Sequence, residues 1–136
     1  MNDEKLLIRA AISARQTAYA PYSRYTVGAA VLGDDKKIYT GCNIENASYP
    51  AGICAERTAV FKAISEGAKK IEAIALTAGR EGEQPDSYPS PCGICRQVMV
   101  EFSDADMPIL LAKSEEDYKK YSLSELLPMS FTSKDL

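Results

Sequence analysis

Apolar residues recur at spacings of three and four near the start of the chain. Leu6, Leu7, Ala10, Ala14 and Ala18 share one helical face, which predicts a helix over 3–19 with Asn2 or Asp3 as its cap. The segment 20–25 (Ala-Pro-Tyr-Ser-Arg-Tyr) breaks the pattern and forms an aromatic loop. Two apolar runs follow, 26–32 and 38–44, separated by Gly-Asp-Asp-Lys-Lys, and read as a hairpin of two strands. Helical spacing returns over 53–66 and ends before Gly67, and 71–78 has the near-continuous apolar character of a strand covered on both faces. Residues 79–91 hold three prolines and no periodicity; a loop of this length inside a compact domain is often functional. Pro91 suits the first position of a helix over 92–102, 108–112 reads as a further strand, and 122–127 as a helical turn or two stopped by Pro128. The order α-β-β-α-β-α-β, with no repeat or linker, predicts one α/β domain over 1–136: three layers, α-β-α, around a mixed central sheet.

Composition narrows the class. The 136 residues are 46% hydrophobic and 26% charged, which argues against disorder, collagen and coiled coil. No stretch approaches the ~18 uninterrupted apolar residues of a membrane helix, and charges interrupt the apolar positions of the N-terminus, so neither a membrane span nor a secretory signal is expected. A cytoplasmic protein is. With 16 Lys+Arg against 19 Asp+Glu, the net charge is −3, and no basic block exceeds a pair such as Lys36-Lys37. Polynucleotide binders need basic surface to displace phosphate counterions, so a small-molecule ligand is the better expectation.

The chain has no histidine, so acid–base chemistry falls to Glu, Asp, Lys, Tyr or Cys. Its four cysteines are Cys42, Cys54, Cys92 and Cys95. Cys92 and Cys95, in Pro-Cys-Gly-Ile-Cys at a helix start, share a helix face, and alone they fit a redox pair, half a zinc site or ordinary buried thiols. Cys54 also stands at a predicted helix start. Three such cysteines could hold one Zn²⁺ and leave its fourth position open, as catalytic sites do. Helix N-termini favour thiolates, and Arg57 is a candidate to offset the resulting net charge of the cluster. Glu56, two residues from Cys54, points away from the metal on a regular helix but could face a substrate beside it and carry protons.

Cys54-Ala55-Glu56 followed by Pro91-Cys92-x-x-Cys95 resembles the zinc-dependent cytidine deaminase superfamily, in which three cysteines, or a histidine and two cysteines, hold zinc and a glutamate outside the metal shell acts as general acid/base. Cysteine in the first position resembles the three-cysteine branch of small homotetrameric nucleoside enzymes. Segments 18–31, 41–59, 90–102 and 126–131 carry the same likeness. The resemblance implies one zinc per chain on Cys54, Cys92 and Cys95, and hydrolytic deamination of cytidine and deoxycytidine in pyrimidine salvage. It implies attack of zinc-bound hydroxide on C4, with Glu56 as proton shuttle. Asn43 and Glu45 match a ribose-binding pair, and a carboxylate facing the 5′ end of the sugar would disfavour phosphorylated substrates. Tyr25 matches a stacking aromatic that is commonly Phe. Ala55 would act through its backbone N–H, and Arg57 matches an arginine that hydrogen-bonds the ligand sulfurs. Phe131 matches an aromatic that reaches the active site of a neighbouring subunit. Cys42 reads as a buried free thiol.

Rival readings make distinct demands. A blasticidin-type deaminase shares the cysteine motifs, but Asn43-Ile44-Glu45-Asn46-Ala47-Ser48 looks like the nucleoside enzymes. A polynucleotide deaminase conflicts with the acidic balance. A structural zinc module needs a fourth ligand, for which Cys42 is available. A thiol oxidoreductase needs only Cys92 and Cys95.

Overall fold

The computed structural model describes residues 2–136 and contains a five-stranded mixed sheet with helices on both faces. The elements are α1 (Asn2–Arg15), β1 (Tyr25–Gly33), β2 (Ile38–Cys42), α2 (Ala55–Ser65), β3 (Ile71–Arg80), α3 (Gly93–Phe102), β4 (Pro108–Ala112), β5 (Tyr118–Ser122) and α4 (Leu123–Leu126). The strand order is β2-β1-β3-β4-β5. Among the sheet strands of the described residues only β3 and β4 pair in parallel, and α3 lies between them in the chain. This is the expected three-layer α/β arrangement.

The central strands are apolar on both faces because both faces are covered. On one side Leu7, Ile8 and Ala11 of α1 pack on Ala30, Ala75, Leu110 and Ala112. On the other, Ala59, Val60 and Ala63 of α2 and Met99 of α3 pack on Val31, Ile74, Leu76 and Ile109. Small side chains let the helices sit close. A Cβ on Gly28 would lie 2.6 Å from the backbone nitrogen of Arg15, and one on Gly41 would lie 2.5 Å from that of Ala59. Gly41 therefore sets how near the first turns of α2 come to β2.

Several boundaries differ from the sequence pattern. α1 stops at Arg15, where the backbone tightens: Gln16, Thr17 and Ala18 donate to the carbonyls three residues back, while the Arg15 guanidinium bonds Thr26 Oγ1 at 2.9 Å and the Arg80 carbonyl at 2.6 Å. Asn2 and Asp3, expected as caps, lie inside its first turn. β2 ends at Cys42 and not at residue 44. Ile44 continues the extended chain only through single bridges to Tyr19 and Ile53. α3 starts at Gly93 with Cys92 as its N-cap, so Pro91 precedes the cap instead of opening the helix. β5 (Tyr-Lys-Lys-Tyr-Ser) has no counterpart in the apolar pattern: it is an edge strand whose two lysines face water.

The long loop after β3 is tied down. Tyr88 donates to Asp117 at 2.5 Å, and its ring lies under the ammonium groups of Lys113 and Lys119 at 4.6 and 4.7 Å. Arg96 of α3 holds the Pro91 carbonyl (2.8 Å), Ser90 Oγ (2.6 Å) and the Leu126 carbonyl (2.5 Å). The loop thus delivers Cys92 at a fixed place.

Gly41→Ala forces a methyl group into the backbone of α2, and overpacking of this kind costs about 1–3 kcal/mol. We expect a melting temperature several degrees below wild type by circular dichroism; an unchanged transition would show that α2 does not depend on that contact.

Candidate active site

Two helix N-termini meet at the site. Cys54 is the N-cap of α2 and Cys92 the N-cap of α3, with Cys95 in the first turn of α3. The three sulfurs lie within 4.8 Å of one another. Cys54 Sγ is 3.8 Å from Cys92 Sγ, which is 3.4 Å from Cys95 Sγ. A tetrahedral Zn²⁺ with bonds of about 2.3 Å needs sulfurs about 3.8 Å apart, so the donor set fits one such ion. Three sulfurs leave the fourth position of a tetrahedron free. Cys42 is elsewhere: its sulfur contacts Thr17 Oγ1 at 3.6 Å, and the thiol is half-buried, not fully buried as expected. That leaves the structural-module reading without its fourth thiolate. The meeting of three sulfurs is also more than a two-thiol redox pair requires.

Electrostatics tie these groups together. Hydrogen bonding from the Cys95 thiol, then from Arg57 and Cys92, pulls the Cys54 thiol down to about 5. Cys95 is pushed up, first by that same bond and then by burial. Arg57 Nη2 donates to Cys54 Sγ at 3.5 Å, and its buried Nε finds no oxygen or nitrogen partner. The guanidinium faces sulfur, as the charge argument requires. Glu56 is 6% exposed, and burial, with a further push from Cys54, raises its carboxyl from 4.5 to about 7.

A cavity of about 430 Å³ opens from this cluster. Cys54, Ala55, Glu56, Arg57 and Cys92 line one part of it, and Tyr25, Asn43 and Glu45 another. Asn43 spends both ends of its amide on β1: Oδ1 accepts from Val27 N at 2.8 Å and Nδ2 donates to the Tyr25 carbonyl at 2.9 Å. One N–H and one carbonyl lone pair remain for a ligand. Glu45 Oε1 accepts from the backbone N–H groups of Tyr22 (3.0 Å) and Ser23 (3.1 Å), and Oε2 from the Ser23 hydroxyl. These bonds, the hydroxyl's first, hold its carboxyl below the usual range. Tyr22 and Tyr49 form a tilted aromatic pair with ring centroids 6.2 Å apart, and Tyr49 also lines the cavity.

Phe131 is not among the residues lining this cavity. It is 58% exposed, and its carbonyl accepts from Gln97 of α3 at 2.9 Å. Sequence reasoning missed Ser23, Tyr49 and Arg96. Ser23 and Arg96 act through bonds to backbone or to Glu45, which no local pattern marks; Tyr49 sits in the Ser-Tyr-Pro stretch whose turn signal was readable.

A family model described as cytidine and deoxycytidylate deaminase zinc-binding region matches residues 1–111. The chain is 48% identical over 134 residues to a cytidine deaminase from Halalkalibacterium halodurans, covering 98% of each. It is 46% identical over 134 residues to one from Sporosarcina psychrophila, covering 98% of this chain and 95% of the relative. The crystal structure of cytidine deaminase from Burkholderia pseudomallei superposes with a TM-score of 0.83 at 42% identity, over 93% of this chain and 97% of that one. That of cytidine deaminase from Mycobacterium tuberculosis gives 0.81 at 38%, over 95% and 97%.

The raised carboxyl of Glu56 has a consequence for stability. Its folded value, about 7, lies above the ordinary 4.5, so the folded metal-free chain binds that proton more tightly than the unfolded one. The contribution is full below the ordinary value and is lost as pH rises through about 7. Metal-free Glu56→Gln should therefore be more stable than metal-free wild type at pH 8, by on the order of 2–3 kcal/mol, with the advantage shrinking toward pH 4.5. Chemical denaturation at both pH values checks this; equal stability at pH 8 would contradict the buried carboxylate.

Proposed function

The chain belongs to the cytidine and deoxycytidylate deaminase family, and from that premise we propose that it hydrolyses cytidine and deoxycytidine to uridine and deoxyuridine with release of ammonia. The observation that carries the proposal is the juxtaposition of Glu56, a buried carboxyl with a raised pKa, and three convergent thiols. Cys54, Cys92 and Cys95 would hold one Zn²⁺, which when bound would supply Lewis-acid chemistry, lowering the pKa of a water toward neutral.

The remaining work falls to the chain's own side chains. Glu56 takes a proton from the attacking water and delivers it to ring N3 of the base; it then takes the remaining proton of the new C4 hydroxyl and passes it to the amino group, which leaves as ammonia as the C4 carbonyl forms. Burial that raises the Glu56 carboxyl above the ordinary carboxylate value makes it a readier proton acceptor and donor than a solvated glutamate. Arg57 offsets the thiolate charge by donating to Cys54. Ala55, at the first position of α2, offers the base a backbone N–H that has no intrahelical partner. Tyr25 stacks on the ring, and Asn43 and Glu45 bind the sugar hydroxyls.

A nucleoside fits better than a nucleotide. Among the described residues lining the cavity, Arg57 is the one basic side chain, and it is committed to sulfur. A 5′-phosphate would find no free cation among these residues to receive it. In this reading residues 1–136 act as one domain, and the exposed Phe131 completes the site of a neighbouring copy in a homotetramer. The four unpaired cysteines suit a reducing cytoplasm.

Zinc per chain and the fall in cytidine absorbance on conversion to uridine, read on one purified sample, test the proposal. We expect about one zinc and rapid conversion of cytidine, with its 5′-monophosphate turned over far more slowly. Glu56→Gln should keep the zinc and lose at least about 10²-fold in kcat, the scale of a positioned general acid–base. Zinc without conversion of either nucleoside would overturn the substrate assignment, and a variant of near wild-type rate would remove Glu56 from the chemistry.

A further inference from the structure

We infer that Ser23 is a positioning residue: it aims the Glu45 carboxylate at a sugar hydroxyl and so sets the preference for hydroxylated sugars. The inference rests on the nucleoside reading above. Glu45 lies past the end of β2, where no strand ladder holds it, yet its carboxylate takes three hydrogen bonds from the loop between α1 and β1. Two come from backbone N–H groups and both reach Oε1. The third comes from the Ser23 hydroxyl and reaches Oε2. A carboxylate oxygen has two lone-pair directions, so Oε1 is filled and Oε2 keeps one for a ligand. Ser23 decides which one it keeps.

The hydroxyl itself is oriented. Tyr25 N donates to Ser23 Oγ at 3.0 Å, which leaves the hydroxyl proton for Glu45 and no donor for a substrate. Ser23 lines the cavity but acts through Glu45. The loop is held in an unusual shape to achieve this. Arg24, between Ser23 and Tyr25, has φ +59°, a left-handed conformation that costs a non-glycine residue strain. Bonds at both ends of its backbone hold it there: Arg24 N donates to the Ala20 carbonyl at 2.9 Å, and Glu81 N donates to the Arg24 carbonyl at 2.8 Å. The Arg24–Glu81 ion pair at 3.1 Å adds to this. The turn lets the N–H groups of Tyr22 and Ser23 converge on one oxygen.

The test uses zinc-loaded wild type, Ser23→Ala and Ser23→Thr with two substrates, cytidine and 2′,3′-dideoxycytidine, which lacks the sugar hydroxyls concerned. Ser23 is exposed, so neither substitution opens a cavity. Ser23→Ala should raise KM for cytidine about 10-fold, the scale of one hydrogen bond to a charged group, with kcat nearly unchanged. Its kcat/KM for the dideoxynucleoside should stay within about twofold of wild type, because no hydroxyl is there to lose. Ser23→Thr should restore most of the cytidine KM. Equal losses on both substrates would mean a structural role and overturn the inference, as would an unchanged KM for cytidine. A wild type inactive on both would instead overturn the nucleoside reading on which the inference stands.

Discussion

Everything in this molecule hangs on bringing three sulfurs from two distant parts of the chain to within 4.8 Å of one another. The fold does so by aiming two helix N-termini at one point. Each N-terminus carries unpaired N–H groups and a positive dipole end, which favours the thiolate form by about 0.3–1 kcal/mol. α2 reaches the point because Gly41 lets it press onto β2. α3 reaches it because Arg96 and Tyr88 fix the loop that leads into Cys92. Arg57 then supplies positive charge from within the same turn of helix. The candidate zinc site of this chain is thus built from the placement of two helices and the loop that leads into one of them.

The cavity divides its labour by environment. Near the sulfurs, burial raises the Glu56 carboxyl to about 7, and a group that costs the fold stability as an anion is the one proposed to move protons. At Glu45 the opposite holds: three hydrogen bonds keep the carboxyl ionised, as a fixed acceptor should be. Two carboxylates of one cavity are driven apart in pKa by burial in one case and by donors in the other.

The sequence made the chemistry more legible than the geometry that supports it. Cys92 and Cys95 alone left a redox pair, half a zinc site and buried thiols open; Cys54 at a second helix start, and the likeness of the flanking segments to known deaminases, were what pointed to one three-cysteine site. Glu56 and Arg57 were readable from their adjacency to Cys54. The central strands were readable because burial on both faces leaves continuous apolar runs, as in 71–78. β5 was not, since Lys119 and Lys120 on an edge look like a loop. The early end of α1 was hidden because Ala14 and Ala18 continue the helical spacing across residues whose backbone tightens to bonds three residues back. Ser23 escaped because its partner, Glu45, is distant in sequence and near only in the fold.

Zinc K-edge X-ray absorption on the purified protein tests the central claim most directly. A site made by Cys54, Cys92 and Cys95 with an open position predicts three sulfurs at about 2.3 Å and one lighter oxygen or nitrogen atom at about 2.0 Å. Four sulfurs would mean a closed site that recruits Cys42, and would contradict both the geometry and the hydrolysis it is proposed to support.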